Sequence, residues 1–291
     1  MTEFLQQVVS GLASGGIYAS LALALVLIYR ATHVVNFAQG EMAMFTTYIA
    51  WALMNEGMPY WPAFALTLAI AFAGGVAVER VLIRPVAQAS VLAIVIVTIG
   101  LLIALNGLAG WIWGAEVKSF ESPFPNRTID VGGVAISTQD IGVFGVCLAS
   151  VLALWAFFRF TTLGLAMRAV AMNPTSSRLM GVRVGWMLAL GWGLAAAIGA
   201  TAGMMIAPIV FLDPNMMAGV LLYAFAAALV GGIQSPGGAV VGGFIVGVLE
   251  NIVGAYLVGT ELKLTVALVL IVGVLIVKPA GLFGRVIVHR V

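Results

Sequence analysis

Val91-Leu-Ala-Ile-Val-Ile-Val-Thr-Ile-Gly-Leu-Leu-Ile-Ala-Leu-Asn-Gly-Leu-Ala-Gly-Trp-Ile-Trp113 decides the fold class. The run carries no charge and shows no apolar/polar alternation. About 20 such residues in helical form match the hydrocarbon thickness of a bilayer. A barrel strand would be about half as long and would alternate. Runs of this kind recur along the whole chain, which is 63% hydrophobic and 8% charged over 291 residues. A soluble domain carries about 25% charge and roughly 45–50% apolar residues, and its surface-to-volume ratio leaves no place for the excess. Lipid solvates apolar side chains directly, provided that the backbone is satisfied internally. The composition therefore reads as an all-α membrane protein, a polytopic helical bundle.

Hydropathy and breakers place nine spans, at about Val8–Tyr29, Val34–Met54, Pro62–Val78, Val91–Trp113, Ile141–Phe158, Gly185–Val210, Met217–Val230, Ala239–Val258 and Leu264–Val277. The second is interrupted at its start by Asn36, Gln39, Gly40 and Glu41. If it is re-entrant, the count is eight. The longest polar stretch is an outer loop at about 114–140, and residues 1–291 read as a single transmembrane domain. Alternate loops hold Arg30, Arg80, Arg84, Arg159, Arg168, Arg178, Arg183, Lys278, Arg285 and Arg290 on one side, and only Lys118, Arg127 and Lys263 on the other. Basic residues accumulate on the cytoplasmic side. The expected orientation has the N-terminus outside and the C-terminus inside. The region before the first run carries Glu3 and no Lys or Arg, unlike a secretory signal, so that run is expected to remain in the mature protein.

Several function classes are excluded by residue type. The chain has one cysteine, Cys147, and two histidines, His33 and His289, so neither an intrachain disulfide nor a Cys/His metal site is expected. It lacks Gly-x-x-x-x-Gly-Lys-Ser/Thr, His-Glu-x-x-His and Gly-x-Ser-x-Gly, the loops and clusters that phosphate binding and common hydrolytic chemistry require. No catalytic residue, metal or cofactor is assigned to this chain, and it is read as no enzyme. Small residues recur in Gly11–Gly15, Gly191–Gly193, Gly199–Gly203 and Gly238–Gly247. Such spacing lets helix backbones approach closely in lipid, and some of these glycines would alternatively line or hinge a pathway.

The cytoplasmic loop at about 159–184 is far longer than a connection between two spans needs. Leu163–Met172 has helix-forming composition. Asn173-Pro174-Thr175 signals a turn and a new helix start, and a second helix would run about Thr175–Met180, stopped by Gly181. Met, Leu and Ala share these helices with Arg168 and Arg178. An apolar anchor with a charged rim suits docking into a groove of a soluble partner; a loop lying on lipid headgroups is the other reading.

Short helices of this kind resemble the coupling helices of ABC importer permeases. The words Thr162-Leu-Gly-Leu-Ala-Met-Arg-Ala-Val-Ala-Met-Asn173 and Leu179-Met-Gly-Val182 resemble the LivH-type branch of the branched-chain amino acid ABC permease family. Gly11-Leu-Ala-Ser-Gly-Gly-Ile-Tyr-Ala-Ser-Leu-Ala-Leu-Ala-Leu25 is similar to that family's first span. Val34-Val-Asn-Phe-Ala-Gln-Gly-Glu-Met-Ala-Met44 is similar to its most recognisable motif. Glu79-Arg-Val-Leu-Ile-Arg-Pro85, Gly231-Gly-Ile-Gln-Ser-Pro-Gly-Gly-Ala-Val-Val-Gly-Gly243 and Lys278-Pro-Ala-Gly-Leu-Phe-Gly284 complete the pattern in order. The chain departs from the family at Gln39, often His there, and at Leu165, where several members carry a basic residue. These departures leave the cargo open, because urea and amide permeases share the motifs.

The resemblance implies a permease subunit of an ABC importer that translocates branched-chain or other hydrophobic amino acids across the inner membrane. Urea or short-amide import is the nearest alternative, and a stand-alone secondary transporter or channel a more remote one. It implies a second, related permease in a heterodimer, two cytoplasmic ATPase subunits that hold ATP and Mg, an external solute-binding protein, and surrounding lipid; nucleic acid is not expected. It places the coupling to the ATPase on Leu163, Gly164, Met167, Arg168, Ala169, Asn173, Arg178, Leu179, Gly181 and Val182.

For the translocation path the candidates are Asn36, Phe37, Gln39, Gly40, Glu41, Glu250 and Asn251. Polar groups at membrane depth are costly and face protein or water. Asn36, Gln39 and Glu41 alternatively form an interfacial helix start, Asn36 capping and Glu41 complementing the dipole. Glu79, Arg80 and Arg84 read first as topology determinants, with an added role beside the coupling loop as the second reading. Trp111 and Trp113 read as interfacial anchors, and His33 as interfacial. The outer loop, with Pro123, Pro125 and the sequon-like Asn126-Arg-Thr128, either receives the binding protein or is a solvated connector.

Overall fold

The computed structural model describes residues 2–284 apart from Asn126, Gly133, Thr260 and Glu261. Arg285, Arg290 and His289 therefore lie outside the described residues, as do Glu261 and the Asn of the sequon. The chain is helical almost throughout: α1 (Thr2–Thr32), α2 (Gln39–Asn55), α3 (Tyr60–Val78), a π turn (Glu79–Ile83), α4 (Arg84–Val86), α5 (Val91–Trp113), α6 (Thr138–Phe160), α7 (Thr162–Met172), α8 (Pro174–Leu179), α9 (Val184–Val210), α10 (Met217–Gly231), α11 (Pro236–Val253), a second π turn (Gly254–Val258) and α12 (Lys263–Val277).

Each of the nine expected spans is a helix. Among the described residues six helices are long and apolar enough to cross a bilayer: α1, α3 with its extension to Val86, α5, α6, α9 and α11 with its extension to Leu257. The fold is that of a polytopic helical membrane protein. The other three expected spans are shorter. α2 has 17 residues, and α10 and α12 have 15 each, or roughly 22–25 Å at 1.5 Å per residue.

The chain divides into two compact units. One comprises residues 27–123 and 148–218. Within it α3 and α2 pack on α9, and α5 packs on α2. The contact surfaces are made by missing side chains. A methyl group on Gly75 would meet the Trp192 carbonyl, one on Gly193 would meet Phe72, and one on Gly203 would strike Thr47 and the Ala43 backbone. Trp113 stacks on Tyr48 at 5.0 Å and meets Phe45 edge-on, packing into the α2–α5 contact. Trp111 is exposed as expected of a belt residue.

The other unit comprises residues 1–26, 124–147 and 219–291. Here α1 lies on α11 through glycine on both sides: a Cβ on Gly11 would be 2.7 Å from Val248 Cα, and one on Gly15 would be 2.9 Å from Phe244 Cα. A short antiparallel hairpin, β1 (Thr128–Val131) and β2 (Val134–Ser137), pairs Thr128 with Ser137 and Val131 with Val134. The sequence reading treated this stretch as plain loop, because four-residue strands carry too little alternation to register. The motifs around Gly231 and Lys278 meet: the Leu282 and Phe283 amides donate to the Val230 and Gly231 carbonyls at 2.8 and 3.1 Å. Gly232 (φ 101°) and Gly281 (φ 75°) make the two turns that allow this, in a region of backbone space that favours glycine.

Candidate functional site: the α6–α9 loop and two buried polar clusters

The two short helices expected in the long loop are α7 and α8, and local chemistry sets both. The Thr161 hydroxyl accepts from the Gly164 amide at 2.9 Å and starts α7. The Asn173 side chain accepts from the Ser176 amide at 2.9 Å and starts α8, with Pro174 at the first helical position, where its missing N–H costs nothing. Gly181, at φ 82°, ends α8, and its amide donates to the Arg178 carbonyl.

The residues predicted to couple divide between two faces. Gly164 and Met167 point inward: Gly164 packs against the Phe157–Phe158 backbone, and Met167 is buried with its methyl group beside Gly191 of α9. Both therefore seat the loop on the bundle. Leu163, Ala169, Asn173, Arg178, Leu179 and Gly181 are exposed, with Arg168 and Val182 half-buried. Leu179 is 85% exposed and Met180 83%, so the tip of the loop presents apolar surface outside the spanning helices. Met172 and Leu165 are exposed as well and form one face with Ala169. Sequence reading passed over Met172 and Met180, although positions 165, 169 and 172 follow the i, i+4, i+7 spacing of one helix stripe.

The first basic loop reaches the same place. Glu79 is 2% exposed and holds Arg84 through two contacts, at 2.9 and 3.3 Å. Arg84 in turn donates to the Gly185 carbonyl at 2.7 Å, at the start of α9. The Arg80 guanidinium lies 3.7 Å above the Trp186 ring. These three residues thus tie the π turn after α3 to the end of the α7–α8 loop, beyond the topology role assigned from charge alone. π turns of this kind recur at functional positions.

The polar start of α2 is buried in protein, with Glu41 in its first turn. Asn36 and Gln39 are fully buried. Asn36 does not cap α2: its carbonyl accepts from the Ala38 amide at 3.1 Å, two residues on, and its amide donates to Gln39 Oε1 at 3.2 Å. Asn side chains close such local turns readily. Gln39 donates across to the Ala195 carbonyl of α9 at 3.1 Å. Gly199 gives it room, since a Cβ there would lie 2.5 Å from Gln39 Nε2. Gly40 and Glu41 are buried, Phe37 half-buried, and one Glu41 carboxylate oxygen has no hydrogen-bond partner among the described residues.

The second cluster belongs to the other unit. The Tyr18 hydroxyl donates to Glu250 Oε2 at 2.7 Å, and Tyr223 stacks on Tyr18 at 4.9 Å. Asn251 donates to the Gly247 carbonyl at 3.1 Å and receives Lys263 Nζ at 3.4 Å. Tyr18 was invisible as a partner because it is 232 residues away in sequence. Among the described residues no group of His, Cys, Asp and Glu is placed to hold a metal ion.

Known proteins carry the same pattern. The sequence model for the permease component of the branched-chain amino acid transport system matches residues 7–275. The chain is 34% identical to the high-affinity branched-chain amino acid transport system permease protein LivH of Salmonella typhimurium, covering 99% of this chain and 98% of that one. It is 32% identical to BraD of Pseudomonas aeruginosa, a permease protein of the same description, with the same coverage. Among solved structures, PsaBC from Streptococcus pneumoniae in complex with Fab superposes with a TM-score of 0.51 at 14% identity over 96% of this chain and 94% of that one, a likeness of fold. With helices, loop and motifs in this order over the whole match, the chain belongs to the family of branched-chain amino acid transport system permease components.

Proposed function

We propose that this permease works as the membrane subunit of an ABC importer for branched-chain and related hydrophobic amino acids, coupled through α7 and α8 to separate ATPase subunits. The observation that carries the coupling is the exposed apolar tip, Leu179 and Met180, on a loop whose inner face is fixed by Gly164 and Met167. Exposed apolar anchors on a rigid seat are what a groove in a partner recognises. In this reading ATP and Mg reside in two cytoplasmic ATPase subunits, and this chain carries no cofactor. A second, related permease completes the pathway, and an external solute-binding protein delivers the cargo. The N-terminus lies outside and the C-terminus inside the bacterial inner membrane.

Closure of the ATPases on ATP would move the seated helices. Because α7 and α8 pack on α9, and α9 on α2 and α3, displacement at the loop passes to the helix that holds Gln39. The buried polar groups at Asn36, Gln39 and Glu41, with the neighbouring Phe37 and Gly40, serve as path or gate elements in that motion, and Glu250 with Asn251 in their own unit.

The test is capture of the ATPase subunit by the tagged chain in mild detergent, wild type against Leu179→Asp with Met180→Asp, together with uptake of leucine and of urea. The double variant should lose the ATPase at an unchanged melting temperature, and leucine uptake should fall with it. Uptake that persists without any ATPase would reject the importer, and urea uptake without leucine uptake would reassign the cargo.

A further inference from the structure

A cleft of about 440 Å³ opens beside the α7–α8 loop, lined by Arg84, Arg178, Arg183, Val184, Gly185 and Trp186 among others. Its charge is unbalanced. Three arginines, Arg84, Arg178 and Arg183, are among its lining residues, and among the described residues their one ion pair is that of Arg84 with Glu79. The cleft also contains the first turn of α9, whose preceding residue, Arg183, gives it no side-chain cap. A helix N-terminus carries partial positive charge from unpaired amides, so basic side chains gathered around it repel that end unless an anion joins them. The remaining lining suits the headgroup level. Trp186 begins a 27-residue spanning helix and is 44% exposed, the position and character of an aromatic belt residue at the headgroup layer. Arg80 packs on its ring. Leu179 and Met180, the apolar tip assigned to the ATPase, do not line the cleft, whereas Arg178, Gly181 and Val182 of the coupling set do.

We infer that this cleft is a binding site for the phosphodiester headgroup of an anionic phospholipid. Basic pockets between spanning helices at the cytoplasmic face suit such headgroups, and arginine grips phosphate oxygens in pairs. Only the choice of leaflet rests on the orientation proposed above. Because Arg84 reaches both Glu79 and Gly185, an occupied cleft would brace the junction between the π turn and the start of α9, next to the coupling loop.

The experiment is native mass spectrometry of the purified full chain, titrated with phosphatidylglycerol and, separately, phosphatidylcholine. Wild type should retain phosphatidylglycerol preferentially. Arg178→Gln with Arg183→Gln should weaken it about thirty-fold, since a basic residue near an anionic surface contributes roughly a factor of five, while phosphatidylcholine is unaffected. Arg178→Gln alone, an exposed change on α8, should cost about five-fold and covers the case in which the double variant does not fold. Equal retention of both lipids by wild type, or unchanged phosphatidylglycerol binding in the variants, overturns the site. Displacement by inorganic phosphate at modest excess would make the ligand a free oxyanion instead. Flat lipid titrations combined with loss of ATPase capture would give the cleft to carboxylates of that partner. No lipid arm depends on transport, so failure of the importer reading and failure of this site are separable.

Discussion

Glu250 shows what a single buried carboxyl does in an apolar bundle. It sits in α11 and accepts a hydrogen bond from Tyr18 at 2.7 Å, with the Tyr223 hydroxyl as a second hydrogen-bond partner, in surroundings where an unpaired polar group costs far more than in water. Replacing it with leucine leaves the Tyr18 hydroxyl buried and without its acceptor, at about 1–3 kcal/mol. Glutamine keeps a carbonyl oxygen in reach. Melting curves in detergent should therefore fall clearly for Glu250→Leu and much less for Glu250→Gln. Equal losses would mean that the negative charge, through Lys263 and its neighbours, matters more than the hydrogen bond. A further drop in transport for Glu250→Gln at intact stability would support the path role.

At the scale of elements, the molecule is built from helix pairs that touch backbone to backbone. In lipid there is little hydrophobic gain from bringing two apolar helices together, so close packing and small residues have to supply the attraction. Gly247 faces the Gly15 backbone and the Gly11 carbonyl, so a valine there has no flexible neighbour to push aside. Overpacking of that kind costs about 1–3 kcal/mol or more. Gly247→Val should lower the melting temperature and broaden the size-exclusion peak. Gly100→Ala on α5, where nothing lies within 4 Å of the new methyl, should be neutral. If the two behave alike, the α1–α11 contact is not the close approach described.

For the molecule as a whole, the testable property is which side of the membrane each loop occupies. Cys147 is completely buried, so the native protein should not react with a membrane-impermeant maleimide from either side. That makes the wild type a silent background. Met180→Cys, exposed on the α7–α8 loop, should label only in inverted vesicles, and Ile129→Cys, exposed on the hairpin, only in intact spheroplasts. The reverse pattern would invert the orientation read from the basic residues. Labelling of both from one face would break the expected count of crossings between them.

Fold class was legible in the sequence because the bilayer imposes a length and an apolarity that a run such as Val91–Trp113 either meets or does not. The ends of α7 and α8 were legible for a similar reason. Thr161, Asn173, Pro174 and Gly181 act on backbone groups within a few residues of themselves, so their chemistry is local. The family resemblance added the coupling role proposed for this loop, which composition could not supply. What only the tertiary structure decided involves groups far apart in the chain: Gln39 against Ala195, Tyr18 on Glu250, Arg84 reaching Gly185, and Gly164 and Met167 turned inward while Leu179 and Met180 face out. Hydropathy reports how much a segment avoids water but not which neighbour it meets. A buried polar side chain finds its partner through packing of whole helices, and that packing is set by the shapes of many small residues acting together.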